Sequence, residues 1–158
     1  MQKQRINVCK WWIFTVLCVF LLAPQTTKAQ TGKREFIEAF LTDVINVNIT
    51  GETLMKKYMC APNKDTQQAL DLELYRLRMK MLGQSKKVTN HFEAYLKPYR
   101  ELPEEEQDIL IDAKDKDNIF SFKGEQGIAV LILIKDGKIA SFTIVKKGNT
   151  RVFTTYCN

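Results

Sequence analysis

The chain has 158 residues, with 24 Lys and Arg against 18 Asp and Glu and a single histidine. Four of the basic residues, Lys3, Arg5, Lys10 and Lys28, fall within the first 29 positions, which hold no acid; beyond them the balance is 20 to 18 and the formal charge drops from +6 to +2. That excess is too small for the electrostatic footprint of a nucleic-acid binder, and the lysine pairs at 56–57, 86–87 and 146–147 are too scattered.

The first predicted element is an export signal. Trp11 to Ala23 is an uncharged apolar run of thirteen residues behind Lys3, Arg5 and Lys10, and Thr27-Lys28-Ala29 offers small side chains where signal peptidase cuts. Spanning hydrocarbon as a helix takes about 20 apolar residues, so a cleaved signal is favoured over a retained anchor. Pro24 disfavours cleavage after Ala23, and Leu17 before Cys18 argues against a lipid anchor. The expectation is a signal peptide over 1–29 and a single domain over 30–158, exported to the periplasm or the medium, with membrane contact only during export.

Three helices are predicted next. From Arg34 to Val47 the residues Phe36, Ile37, Phe40, Leu41, Val44 and Ile45 recur three and four apart, one stripe of an amphipathic helix. Thr50 caps a shorter helix with Leu54, Met55, Tyr58 and Met59 on its buried face, and Cys60-Ala61-Pro62 stops it. The third runs from near Asp65 to Leu82, with Leu70, Leu74, Leu77 and Met81 on one side, Arg76, Arg78 and Lys80 largely away from it, and Gly83 as terminator.

The period then changes. Phe92, Ala94 and Leu96 alternate with Glu93, Tyr95 and Lys97, a strand pattern that Pro98 confines to an edge or end. Pro103 followed by Glu104-Glu105-Glu106 has the form of a helix start, and Asp108 to Ile111 fits either a turn or an extended segment. Residues 118–123, 128–135, 138–147 and 150–156 are rich in β-branched and aromatic side chains, forming an antiparallel meander. The fold class is α+β: N-terminal helices packed on a C-terminal antiparallel β-meander of four to five strands.

Asp136-Gly137 is the strongest turn signal and sets Lys135 opposite Lys138. Carried on, this register pairs Leu133 with Ala140, Leu131 with Phe142 and Ala129 with Ile144. A tight turn at Gly148-Asn149 then pairs Ile144 with Phe153 and Ala140 with Cys157. One face collects Leu131, Leu133, Phe142, Ile144, Phe153 and Cys157. The other mixes Val130, Ile132, Ile134, Ile139, Val145 and Val152 with Ser141, Thr143, Thr154 and Tyr156. Three helices cover one face completely, so the mixed face is expected to stay partly open for a partner.

Cys9 and Cys18 lie in the signal, leaving Cys60 and Cys157, which an oxidising compartment favours as a disulfide. With His91 alone and no zinc-like cysteine spacing, no metal and no cofactor is assigned. Ser85 and Ser121 have no nucleophile-elbow context. Asp112, Asp115 and Asp117 lack the glycine and later ligands of a calcium loop, and Gly83-Gln84-Ser85-Lys86-Lys87 lacks the upstream glycine of a phosphate loop. Asn48-Ile49-Thr50 fits a glycosylation acceptor.

The closing segment Lys135-Asp136-Gly137-Lys138-Ile139-Ala140-Ser141-Phe142-Thr143 resembles small exported bacterial proteins of uncharacterised function. The order of helices followed by a meander is similar to the cystatin-like class that includes the nuclear-transport-factor-2-like superfamily. That resemblance implies a curved sheet wrapped around helices, a conical pocket, and dimerisation through the sheet; no residue matches its catalytic sets. The functional expectation is an exported, non-enzymatic binding or protein-interaction module. Its candidate binding residues are Ile132, Ser141, Thr143, Thr154 and Tyr156, and its partner is an unidentified protein, a small molecule or a second copy. The rival expectation is a small exported enzyme with an acid–base site in the cone, built on His91 or Tyr95 beside a carboxylate.

Overall fold

The structure, a computed structural model, describes residues 25–60, 64–125 and 127–156, with side chains from residue 30 onward and, in the third helix, from residue 66. The expected signal run and Cys157 lie outside the described residues, apart from the helical stretch 25–29. The chain divides into two compact units, Met1–Gly32 and Lys33–Asn158.

The three predicted helices form: α1 (Gln25–Ile45), α2 (Gly51–Tyr58) and α3 (Lys64–Leu82). In α1 the expected stripe is the buried one, with Ile37, Phe40, Leu41 and Val44 fully enclosed. Thr50 caps α2 as expected, its hydroxyl accepting the Thr53 N–H at 3.2 Å. Gly83 follows α3 and its N–H donates to the Met79 carbonyl, but its φ is not left-handed, so the stop does not depend on glycine's freedom there. Two one-turn helices follow, α4 (Lys86–Thr89) and α5 (Phe92–Tyr95). The strand expected over Phe92 to Lys97 is corrected: Phe92–Tyr95 is a helical turn, because Phe92 packs edge-on against Phe122 with ring centres 5.6 Å apart, and packing overrides the alternation.

Only β1 (Leu96–Pro98) remains extended there, and Pro98 does sit on an edge strand. The meander continues with β2 (Ile119–Gly124), β3 (Gly127–Lys135) and β4 (Lys138–Ser141), giving an antiparallel sheet in the order β1-β2-β3-β4. The single strand expected over 138–147 is broken. Ser141 Oγ accepts the Thr143 N–H at 3.2 Å and donates to the Thr143 carbonyl at 3.1 Å. This local closure takes the backbone groups a ladder would use. The chain leaves the sheet, and β5 (Ile144–Lys147) and β6 (Thr150–Phe153) form a separate hairpin.

Lys135 faces Lys138 as expected, and Asp136 and Gly137 both have positive φ, the twisted two-residue turn that hairpins prefer. Ile134 still faces Ile139, but two steps on Leu133 faces Ser141 instead of Ala140, because β4 bulges at Ala140. The bulge reverses the alternation beyond it. Phe142 therefore joins Val130, Ile132, Ile134 and Ile139 under the helices, instead of lying with Leu131 and Leu133. The Ile144–Phe153 pairing holds within the hairpin.

The expectation of a partly open sheet face is also corrected. The Val130/Ile132/Ile134 face is covered by α1, α2 and α3 residues. The opposite face, Ile119, Leu131, Leu133 and Ala140, is roofed by Tyr99, Leu102 and Ile109, with Ile144 and Phe153 of the hairpin packed beside them. Residues 108–111 belong to that roof: Ile109 bridges Arg151 in parallel, and the Leu110 N–H donates to the Arg151 carbonyl at 2.9 Å. Pro103-Glu104-Glu105-Glu106 makes only a single 3-10 turn, and Pro103 stands just before it.

Candidate functional site

The five residues expected to bind do not share an open face. Ile132 and Ser141 are fully buried, Ile132 within the helix-side core and Ser141 in the turn that breaks the sheet. Ile132 is therefore closed to a partner, its side chain lying beneath the helices. Thr154 is exposed, and its N–H closes onto the Thr143 carbonyl at 2.9 Å.

Ser141, Thr143 and Tyr156 do converge. Tyr156 donates from its phenol to Thr143 Oγ1 at 2.6 Å, and Thr143 Oγ1 donates to Glu73 Oε2 at 3.3 Å. The other Glu73 oxygen is bound by Arg76 at 2.5 Å. Fold and chemistry meet here because the Tyr156 N–H is fastened to the carbonyl of the bulged Ala140 at 2.9 Å. The Tyr156 ring lies 5.8 Å from Phe142, which in turn lies 6.1 Å from Phe40. Burial pushes the Tyr156 phenol above its usual value; the Thr143 hydroxyl pulls it back and the Glu73 charge adds to the rise. Tyr156 is thus held as a proton donor into the chain of oxygens.

This chain opens onto a cleft of about 250 Å³ between α3 and the sheet, with Glu73, Arg76, Lys80 and Thr143 at its polar side and Leu77, Val130, Phe142 and Ile144 at its apolar side. Arg76 and Lys80 were legible in sequence only as lying away from the buried stripe of α3, and Glu73 was not singled out. The missed signal was the spacing of three and then four from Glu73 to Arg76 to Lys80 beside the Leu77 edge of that stripe. Arg78 was also read as solvated, yet it is half-buried and donates to the Val44 and Ile49 carbonyls, both at 2.6 Å, closing the C-terminal end of α1.

A second hollow of about 420 Å³ lies beside the hairpin, lined by Leu110, Ile111, Leu133 and Phe153 with Asp112, Asp115 and Lys135. Asp115 and Lys135 pair at 3.2 Å. His91 is exposed and precedes α5 without capping it through its side chain. Tyr95 is half-buried with its ring 6.4 Å from Phe122. The acid–base reading thus finds its histidine on the surface. Among the described residues no group of three or more metal-ligating side chains is assembled, and no helix is long and apolar enough to cross a membrane.

Comparison with models of protein families, with curated proteins and with solved structures finds no match.

Proposed function

We propose that this chain is an exported binding module that receives an acidic, apolar side chain or terminus of a peptide or protein partner in the cleft between α3 and the sheet. The observation that carries the reading is the Tyr156–Thr143–Glu73 chain of hydrogen bonds at the cleft's edge. At about 250 Å³ the cleft is smaller than the usual small-molecule pocket, so it fits one inserted group better than a whole cofactor. Lys80 at its rim favours a carboxylate, Arg76 being already paired with Glu73, and Val130 and Phe142 accept apolar surface.

Export enters the same reading. The second compact unit begins at Lys33, and among the described side chains of α1 the first fully buried one is Ile37. The reading also pairs Cys60 with Cys157. Cys60 Sγ lies 4.0 Å from the Ile139 carbonyl, and the neighbouring Ala140 carbonyl accepts the Tyr156 N–H. The resemblance in element order to the cystatin-like class remains part of this proposal.

The test is an NMR titration of the purified protein with short acidic peptides carrying one aromatic residue. Shifts centred on Phe142, Thr143 and Ile144, lost in Lys80→Glu and weakened in Thr143→Val, support the reading. Shifts elsewhere, or none, overturn it.

A further inference from the structure

Helix α3 is apolar on two sides. Leu70, Leu74, Leu77 and Met81 are buried in the helix-side core. Leu72, Tyr75, Met79 and Leu82 are 49%, 60%, 52% and 47% exposed. At 3.6 residues per turn the two sets are centred about 150° apart, so the second is a separate stripe and not the margin of the first. Its spacing of three, four and three is that of alternating a and d positions in a heptad, the pattern by which one helix seats another. Four half-exposed large side chains in a row make an apolar patch on the order of 400 Å², a size that on a monomer's surface marks an interaction site.

We propose that a second copy of this chain occupies the stripe, its α3 packed antiparallel against the first about a two-fold axis. The spacing is palindromic, so the two-fold maps the stripe onto itself: Leu72 meets Leu82 of the other copy, and Tyr75 meets Met79, a sulfur–aromatic contact. Charge selects the direction. Among the described side chains of α3, the N-terminal part carries Asp71 and Glu73 with no base, while the C-terminal part carries Arg76 and Lys80 with no acid, Arg78 being turned onto the Val44 and Ile49 carbonyls. Antiparallel packing sets the acidic end of each helix beside the basic end of the other; parallel packing sets like beside like. The patch reaches about half of the roughly 800 Å² per partner of a standard interface, so the dimer is expected to be weak and concentration-dependent. This surface shares Glu73, Arg76 and Lys80 with the cleft rim, but Leu72, Tyr75, Met79 and Leu82 line none of the cleft, so a variant at Met79 tests the pairing without touching the function proposed above.

Sedimentation velocity on the purified protein across the micromolar range tests it. A monomer–dimer equilibrium is expected, weakened more than about tenfold by Met79→Glu, which buries a charge at the seam. Unchanged circular dichroism keeps folding out of the comparison, since Met79 supports neither core. Leu72→Cys mixed with Leu82→Cys should form an intermolecular disulfide, and Leu72→Cys alone should not. A strict monomer, a dimer indifferent to Met79→Glu, or self-crosslinking of Leu72→Cys would each overturn the proposal. So would a monomer that pairs through this stripe only with a different helix.

Discussion

Asp43 shows how one carboxylate ties two helices. Tyr58 donates to its Oδ2 at 2.6 Å and Lys57 at 2.8 Å, while the Lys57 ammonium also sits 4.9 Å from the centre of the Tyr58 ring. Burial by itself pushes the Asp43 carboxyl up, but the hydrogen bonds from Lys57 and Tyr58 outweigh it and hold the group below its ordinary 3.8. A depressed carboxyl stabilises the fold above the unfolded value and loses that contribution as pH falls through the folded one. Asp43→Asn should therefore cost about 1 kcal/mol at neutral pH and little at pH 2, in urea melts at the two pH values. Tyr99 plays a comparable part beneath the sheet. Its phenolic oxygen accepts the N–H of buried Ile109 at 3.2 Å, and burial raises the phenol's pKa, against the pull of that N–H. Tyr99→Phe keeps the ring but strands the N–H, so a loss of about 1–2 kcal/mol is expected, with faster hydrogen exchange at Ile109. Neither pairing was legible in sequence, because Asp43 and Tyr58 are fifteen positions apart and Tyr99 and Ile109 ten.

At the scale of elements, the most local signals carried furthest. The buried stripes of α1, α2 and α3, the Thr50 cap and the Asp136-Gly137 turn are written in neighbouring residues and form as read, although α1 starts at Gln25, ahead of the expected Arg34. Gly137 has φ +71° and open space around its missing Cβ, so Gly137→Ala tests backbone strain alone. It should lower stability by about 1 kcal/mol, read as an earlier denaturant midpoint with unchanged slope. Across the sheet the reading slipped at Ala140. A bulge costs one residue of register, and nothing in Lys138 to Ser141 announces it, because its partner is the distant Tyr156 N–H. Ser141 and Thr143 were singled out as hydroxyls for a ligand. Ser141 instead breaks the strand, whereas Thr143 does reach the cleft. Their roles diverge because the turn between them points one side chain at the backbone and the other at Glu73.

For the whole molecule, the proposed Cys60–Cys157 bridge closes a loop of nearly a hundred residues, whose chain-entropy contribution is about 4.7 kcal/mol before strain. Reduction, or Cys60→Ser, should each lower the unfolding free energy by several kcal/mol and not add to one another; intact mass under alkylation without reductant should show no free thiol in the native protein. The two cores meet across a single sheet, so the helices and the roof over Tyr99, Leu102 and Ile109 depend on the same strands. From the sequence alone came the α+β class, the three long helices and their buried faces, and two of the tight turns, since periodicity and turn chemistry act between residues a few positions apart. The tertiary structure decided that both sheet faces are covered, that β5 and β6 leave the sheet, and that Tyr156, Thr143 and Glu73 meet beside a cleft. Those outcomes depend on contacts between residues seventy or more positions apart, such as Thr143 with Glu73 and Phe40 with Phe142, where the energy of packing and of a single bulge outweighs any local preference.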